Sequence, residues 1–241
     1  MRLLASELLK VRTAPRTVVG LLLGELAIVA IGTASTIDSA KSGPFGLSAS
    51  LEQDLIGVVA SSLLFALILG ILVVTWEYRH GTITQTFLAT PVRERVLGAK
   101  LVVAAVAGAF LVVPALLLML VIAEIWVGGD EGFGFGADDL RLVARLFLTV
   151  ALVGILGAEI GAATGRQLGS IIGSFAWIVF AEPAIGIWHS VRDDLPIRAL
   201  SGVFGADTST PAFGRSLLVS CAYVVVFGAI ALFMTRRRDI T

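Results

Sequence analysis

The sequence predicts an all-α membrane protein of six transmembrane helices. An N-terminal amphipathic interfacial helix should precede the first span, and short re-entrant helices should lie between spans five and six. Three observations carry this. The 241 residues are 57% hydrophobic and only 15% charged, with a mean hydropathy of +0.95, against about 25% charged in soluble domains; one soluble core cannot bury such an apolar excess. The apolar residues fall into six segments, about 18–36, 55–75, 101–124, 146–164, 170–188 and 217–235, each near the ~20 residues that a helix needs to cross ~30 Å of hydrocarbon. Segments of that length suit helices, not the ~10-residue strands of a barrel, and lipid tolerates no unpaired backbone. Finally, an inside N-terminus assigns twelve of the 18 basic residues to the inner side, among them Lys10, Arg79, Arg93, Lys100 and Arg236, and six to the outer. That bias predicts a multi-pass protein of a cell (plasma) membrane with both termini cytoplasmic.

The elements follow in order. Residues 1–16, MRLLASELLKVRTAPR, place Leu3, Leu4, Leu8, Leu9 and Val11 in a stripe at helical spacing, with Arg2, Glu7, Lys10 and Arg12 off it. This is the pattern of a helix lying in the inner interface, its cations among anionic headgroups. The first span is read as a span and not a cleaved leader, because Glu25 interrupts its apolar core and no A-x-A site follows. A long outer loop, 37–54, turns at Gly43-Pro44, and the outer loop 125–145 holds the glycine-rich VGGDEGFGFGADD. The inner connection at Gly165, Arg166 and Gln167 is minimal. Pro183 should kink or end span five near Ala181, since proline removes a backbone donor and clashes with the preceding turn. Beyond it, Leu195, Ile197, Leu200, Val203 and Phe204 are too apolar for a solvated loop and too few for a span, hence the predicted re-entrant helices with Leu195-Pro196 at a turn. The whole chain, 1–241, forms a single membrane domain.

The segment with the most functional information is WEYRHGTITQTFLATPVRERVLGAK, Trp76 to Lys100. It is a polar, basic stretch pinned between two apolar runs, broken at Gly81-Thr82 and at Thr90-Pro91. Several other function classes lack support. The chain has no G-x-x-x-x-G-K-[ST] phosphate loop. His80 and His189 fall on opposite sides, and Cys221 is the single cysteine, so neither a catalytic metal site nor a disulfide is indicated. No nucleophile–base arrangement is visible, and a formal net charge of zero argues against nucleic acid.

Two further patterns concern the spans. Gly157, Gly161 and Gly165 recur every four residues, as do Gly20 with Gly24 and Gly169 with Gly173. Such faces allow close helix packing, within the chain or between subunits, with the first span the better candidate for a subunit contact. Acids fall in or at the ends of spans at Glu25, Glu124, Glu159 and Glu182. No Lys or Arg lies within the six segments to neutralise them, and intramembrane acids mark functional positions by default. Glu25 and Glu182 are the candidates for a polar pathway, Glu124 sits at the outer interface, and Glu159 beside the glycine ridge is structural.

The pattern E-x-x-x-G-T, then T-P-x-x-x-R, then a basic residue before an apolar run, resembles the permease subunits of ABC transporters of the type-2 exporter family. It is carried here by Glu77, Gly81, Thr82, Thr90, Pro91, Arg95 and Lys100. The leader SELLKVRT, Ser6 to Thr13, is similar to that family's elbow helix, and Leu195-Pro196 to a Leu-Pro at a similar place. The resemblance implies a dimer of permeases, homomeric or heteromeric, working with two ATPase subunits on separate chains of a bacterial or archaeal cell. No cofactor is then expected in this chain, ATP and Mg belonging to the partner, and the chain itself is not an enzyme. Glu77, Tyr78, Arg79, Gly81, Thr82, Thr90 and Pro91 become the ATPase-coupling residues, with Glu77 in contact with the partner. Drugs, peptides, lipids and sodium ions are all conceivable exports. Two other readings stand beside this one: an ion-coupled carrier using Glu25 or Glu182, and a membrane scaffold or sensor that transports nothing.

Overall fold

The computed structural model of the chain describes residues 2–12, 15–42, 51–90, 92–128, 134–205 and 211–237. Pro91, the Gly43-Pro44 turn and the centre of the glycine-rich stretch, 129–133, lie outside the described residues, as do the side chains of Leu3 and Val11. Among the described residues all regular structure is helical. The helices are α1 (Arg2–Arg12), α2 (Pro15–Ser42), α3 (Leu51–Val59), α4 (Ser62–Arg79), α5 (Ile83–Ala89), α6 (Arg93–Val127), α7 (Ala137–Thr164), α8 (Gln167–Ala176), α9 (Glu182–Ile185), α10 (His189–Arg192), α11 (Pro196–Phe204) and α12 (Phe213–Arg237). A π-helical turn, Trp177–Ala181, joins α8 to α9. Six helical stretches among these residues are long and apolar enough to cross a membrane: Arg16–Ser42, Leu51–Arg79, Arg93–Val127, Ala137–Thr164, Gln167–Ile185 and Phe213–Arg237. The protein is a multi-pass helical membrane protein.

Each expected span is present, and each departs from its apolar limits for a local reason. The 35-residue α6 is roughly 50 Å long, well beyond ~30 Å of hydrocarbon, so a helix that begins at Arg93 carries its polar first turns, and Lys100, beyond the apolar run. The second span starts at Leu51 rather than 55 and is broken: Ala60 N–H donates to Gly57 O, Ser61 to Val58 and Leu63 to Ala60, each three residues back, so α3 and α4 meet through a tight 3₁₀ turn. Buried Leu55, Ile56 and Val59 hold that turn against Val29 of α2. In the fifth span the break lies at the π turn, one residue before Glu182-Pro183; widening the turn to i→i+5 accommodates the missing proline donor without ending the helix, which runs on to Ile185.

α4 and α7 form the centre, with α6 packed on both. The glycine ridge makes that approach possible: a side-chain carbon at Gly157 would collide with the Leu67 carbonyl, one at Gly161 would stand 3.0 Å from the Ile71 carbonyl, and one at Gly154 would stand 2.7 Å from the Ala104 carbonyl. The ridge therefore serves packing within the chain. Gly165 has a different task, closing α7 at φ 65°, a left-handed cap that favours glycine. Gly24 rests on Phe65, whereas Gly20 and Gly173 face open space. Outward faces are apolar: Leu218 is 74% exposed, Ile125 73% and Val225 70%, the inverse of a soluble protein and the pattern lipid requires.

Hydrogen bonds define two ends. At one, Arg93 Nη1 donates to the carbonyls of Thr235 (2.8 Å) and Arg236 (3.1 Å), and Arg79 Nη1 to Gln167 Oε1 (3.2 Å). α1, α5, the start of α6 and the end of α12 gather there. At the other, Lys41 Nζ donates to Trp126 O (2.5 Å) and Arg215 pairs with Asp194 (2.8 Å).

A buried ion cluster at the candidate coupling site

The site at the α1–α5 end is built around Lys100. α6 begins at Arg93, so Lys100 lies two turns inside it and points back into the bundle, where it is 2% exposed. A lysine so buried needs anionic partners. Its Nζ donates to Glu7 Oε2 of α1 at 2.7 Å and to Glu77 Oε1 at the end of α4 at 2.8 Å. Lys10 closes the ring from α1, with its Nζ 2.5 Å from Glu7 Oε1, 2.7 Å from Glu77 Oε1 and 3.3 Å from Thr86 Oγ1 of α5. Two carboxylates and two ammoniums thus tie α1, α4, α5 and α6 together. Burial alone would pull the Lys10 ammonium down, but the hydrogen bonds and charges of Glu7 and Glu77 outweigh it and hold its pKa above the ordinary value of 10.5.

This arrangement places the sequence-predicted residues unevenly. Glu77 is 4% exposed, so its side chain is turned into the molecule and does not present itself to a partner surface; the lysines on both sides draw it in. Tyr78 packs against the cluster of Val74, Leu97, Ala158 and Ala231. Arg79 and Thr82 are exposed. Gly81 takes φ +67°, which lets the chain reverse at the end of α4, and Thr82 N–H donates to Glu77 O at 3.0 Å across that reversal. Thr90 is extended (φ −136°, ψ 91°), as a residue before proline must be, and ends α5. α5 turns Thr84, Gln85 and Leu88 outward, and Leu88 is 79% exposed. Glu7, Lys10 and Lys100 were assigned no role in the cluster from sequence. The signal was present as a Glu and a Lys three apart in the leader and a Lys at the mouth of the third apolar run, but nothing in the spacing says that the leader folds back on that mouth.

α1 itself is inverted relative to a soluble helix. Glu7 is 2% exposed, while Leu4, Leu8 and Leu9 are 41%, 49% and 58% exposed. Its apolar face is free for lipid and its acid is held inside.

The intramembrane acids have different partners. Ser62 Oγ donates to Glu25 Oε1 at 2.5 Å beside the α3–α4 turn, and Glu25 Oε2 is buried without a hydrogen-bond partner. Glu159 is 1% exposed, with one oxygen likewise unpartnered, and faces Gly228 of α12. Glu182 is fully engaged: Oε2 accepts from Trp177 Nε1 (3.0 Å), and Oε1 from the backbone N–H groups of Ile197 (2.7 Å) and Arg198 (3.0 Å). It fastens the start of α11 to the π turn. α11, packed on α7 and α12, buries Ala199, Val203 and Phe204, with Leu195 buried just before it, so the apolar stretch of this connection does hold short helices, with Leu195-Pro196 at the start of the second. Among the described residues no group of three or more His, Cys, Asp or Glu could hold a metal ion.

Compared with known proteins, the chain matches no family model and no curated protein.

Proposed function

We propose that the chain is the membrane-spanning permease subunit of an ATP-driven exporter of the ABC type-2 kind. It forms the substrate pathway as a dimer and is driven by ATPase subunits on separate chains, where ATP and Mg bind. In this reading the α1–α5 end is cytoplasmic, in a bacterial or archaeal cell membrane, and α10 and α11 dip back into the outer leaflet as a cap over the exit. The observation that best supports it is the ion cluster joining a short surface helix to both long helices flanking it. A permease without its own engine needs a stiff link between a docking surface and the spans. α5 offers Thr84, Gln85 and Leu88 outward, while Lys10 links Thr86 behind it to Glu77 on α4, and Lys100 carries the link into α6. A push on α5 then moves α4, which lies against the central α7, rather than being absorbed in a loose loop. Glu77 acts as the keystone of this link and the exposed face of α5 as the docking surface.

The test is reconstitution with the partner ATPase. Leu88→Asp on the exposed face should leave the fold intact, yet lower ATPase-driven export and weaken ATPase association. Glu77→Ala should leave membrane insertion and ATPase association intact but uncouple hydrolysis from export. Unchanged export in both variants would overturn the reading, and transport driven by an ion gradient without any ATPase would establish the carrier instead.

A further inference from the structure

α12 turns its polar side inward. Its buried residues are Ser216, Ser220, Ala231 and Thr235, three of them hydroxyl-bearing, while Leu218, Val225, Val226 and Phe233 face out. With Gly228, the buried positions fall at helical spacing on one face. Ser216 meets Gly202 of α11, whose place a side-chain carbon could not share with the serine hydroxyl. Gly228 meets Glu159 of α7, where such a carbon would stand 2.9 Å from Oε1, and Ala231 packs with Ala158 and Ala162 of α7. Small residues let α12 approach α7 closely, but lipid supplies no hydrophobic force to hold it there. Polar clasps do so instead. Towards the end opposite the ion cluster, Tyr223 Oη donates to Asp194 O at 2.9 Å, Arg215 pairs with Asp194, and the Arg145 guanidinium lies 4.7 Å from the centre of the Phe213 ring. At the other end Arg93 donates to the carbonyls of Thr235 and Arg236, and Arg236 pairs with Glu94.

Two polar groups along this face are buried without a hydrogen-bond partner, Ser220 Oγ and Glu159 Oε2, in residues that are each 1% exposed. Ser220 lies two turns of α12, roughly 12 Å, from the Gly228 that meets Glu159. Buried polar groups in native proteins find protein partners or ordered water, and acids within spans face a bundle interior or a water-filled space. We propose that the seam between α7 and α12 is a water route. Water enters from the end opposite the ion cluster, passes Ser220 and ends at Glu159, and the clasp on Asp194 sets how often the seam admits it. The route is independent of the ion cluster and of any ATPase, and it gives Glu159 a contact with solvent in place of a purely structural role.

The experiment uses the full chain in sealed vesicles and a small impermeant thiosulfonate, which attacks thiolates and therefore modifies thiols in water, not in lipid. Native Cys221 is the control, since it is exposed on the outward face and, next to Ser220, shares its depth. The unsubstituted chain should stay unmodified. Ser220→Cys in a Cys221→Ser background should be modified from the side that labels a cysteine at Asp138. Glu159→Cys, which removes an unpartnered acid and so leaves the fold intact, should react from that side more slowly. Tyr223→Phe with Arg215→Gln loosens the clasp and should speed modification of Ser220→Cys about threefold to tenfold, with the melting curve in detergent confirming a folded chain. Four results would each overturn the route: no reaction at Ser220→Cys or at Glu159→Cys, reaction from the opposite side, equal modification of native Cys221, or a rate indifferent to the clasp.

Discussion

Lys100 decides how the α1–α5 end holds together. It is 2% exposed between Glu7 and Glu77, and removing one member of a buried ionic set leaves uncompensated charge at about 3–5 kcal/mol, whereas replacing the whole set with neutral groups is often neutral. Lys100→Met should therefore lower the unfolding temperature in detergent far more than the quadruple variant Lys100→Met, Lys10→Gln, Glu7→Gln, Glu77→Gln, and a larger loss in the quadruple would refute the assignment. Lys10 gives a pH dependence of known sign. Its pKa is raised in the folded chain above 10.5, so its contribution is complete below 10.5 and is lost as pH rises through the higher folded value. A fluorophore on α1 should report release of that helix in this alkaline window and not near neutrality, and Lys10→Gln should remove the transition. Glu77 stands out in the sequence because its motif is local. The residues that hold it do not, since Glu7 and Lys100 are 93 positions apart and no local pattern encodes that pairing.

Among the elements, the connection between the fifth span and α12 is the most informative. The sequence carried the break at Pro183 and the apolar spacing of Leu195 to Phe204, and hence the presence of short helices; it did not carry the role of Glu182. A carboxylate in a span reads as a pathway residue, but here both oxygens are occupied by Trp177, Ile197 and Arg198, and only tertiary structure brings those donors to it. Glu182→Ala should leave three donors without their acceptor, at about 1–3 kcal/mol, and speed hydrogen exchange at the amides of Ile197 and Arg198 in particular. Exchange that stays unchanged there would mean that α11 is held by packing alone. Glu182→Gln, keeping a carbonyl acceptor, should fall between.

Across the whole molecule, span number and approximate placement were legible because burial in lipid demands long apolar runs, while the interior arrangement was legible only through glycine. The four-residue ridge pointed to close packing, yet Gly154 and Gly70, which share that contact between α4, α6 and α7, fall outside its register. Gly157→Leu should therefore prevent a stable fold, whereas Gly20→Ala, facing open space, should leave the isolated chain unaffected; melting curves in detergent separate the two. In a Cys221→Ser background, cysteines at Thr84 and Arg237 should react with an impermeant maleimide from the same side of sealed vesicles, and one at Asp138, exposed at the start of α7, from the other. Labelling of Thr84 and Asp138 from one side would contradict the alternating spans.

The pairing of Glu7 with Lys100 also sets an order of assembly. A ribosome adding roughly 5–20 residues per second needs on the order of 5–20 s to make the 93 residues that separate them. Through that interval α1 has its leucines for lipid but no ammonium from α6 for its acid, so it can rest on the bilayer surface without docking. Entry of the third span is then the event that locks the amino terminus in place, and a nascent chain arrested before residue 100 should leave α1 open to protease while the first two spans are already inserted.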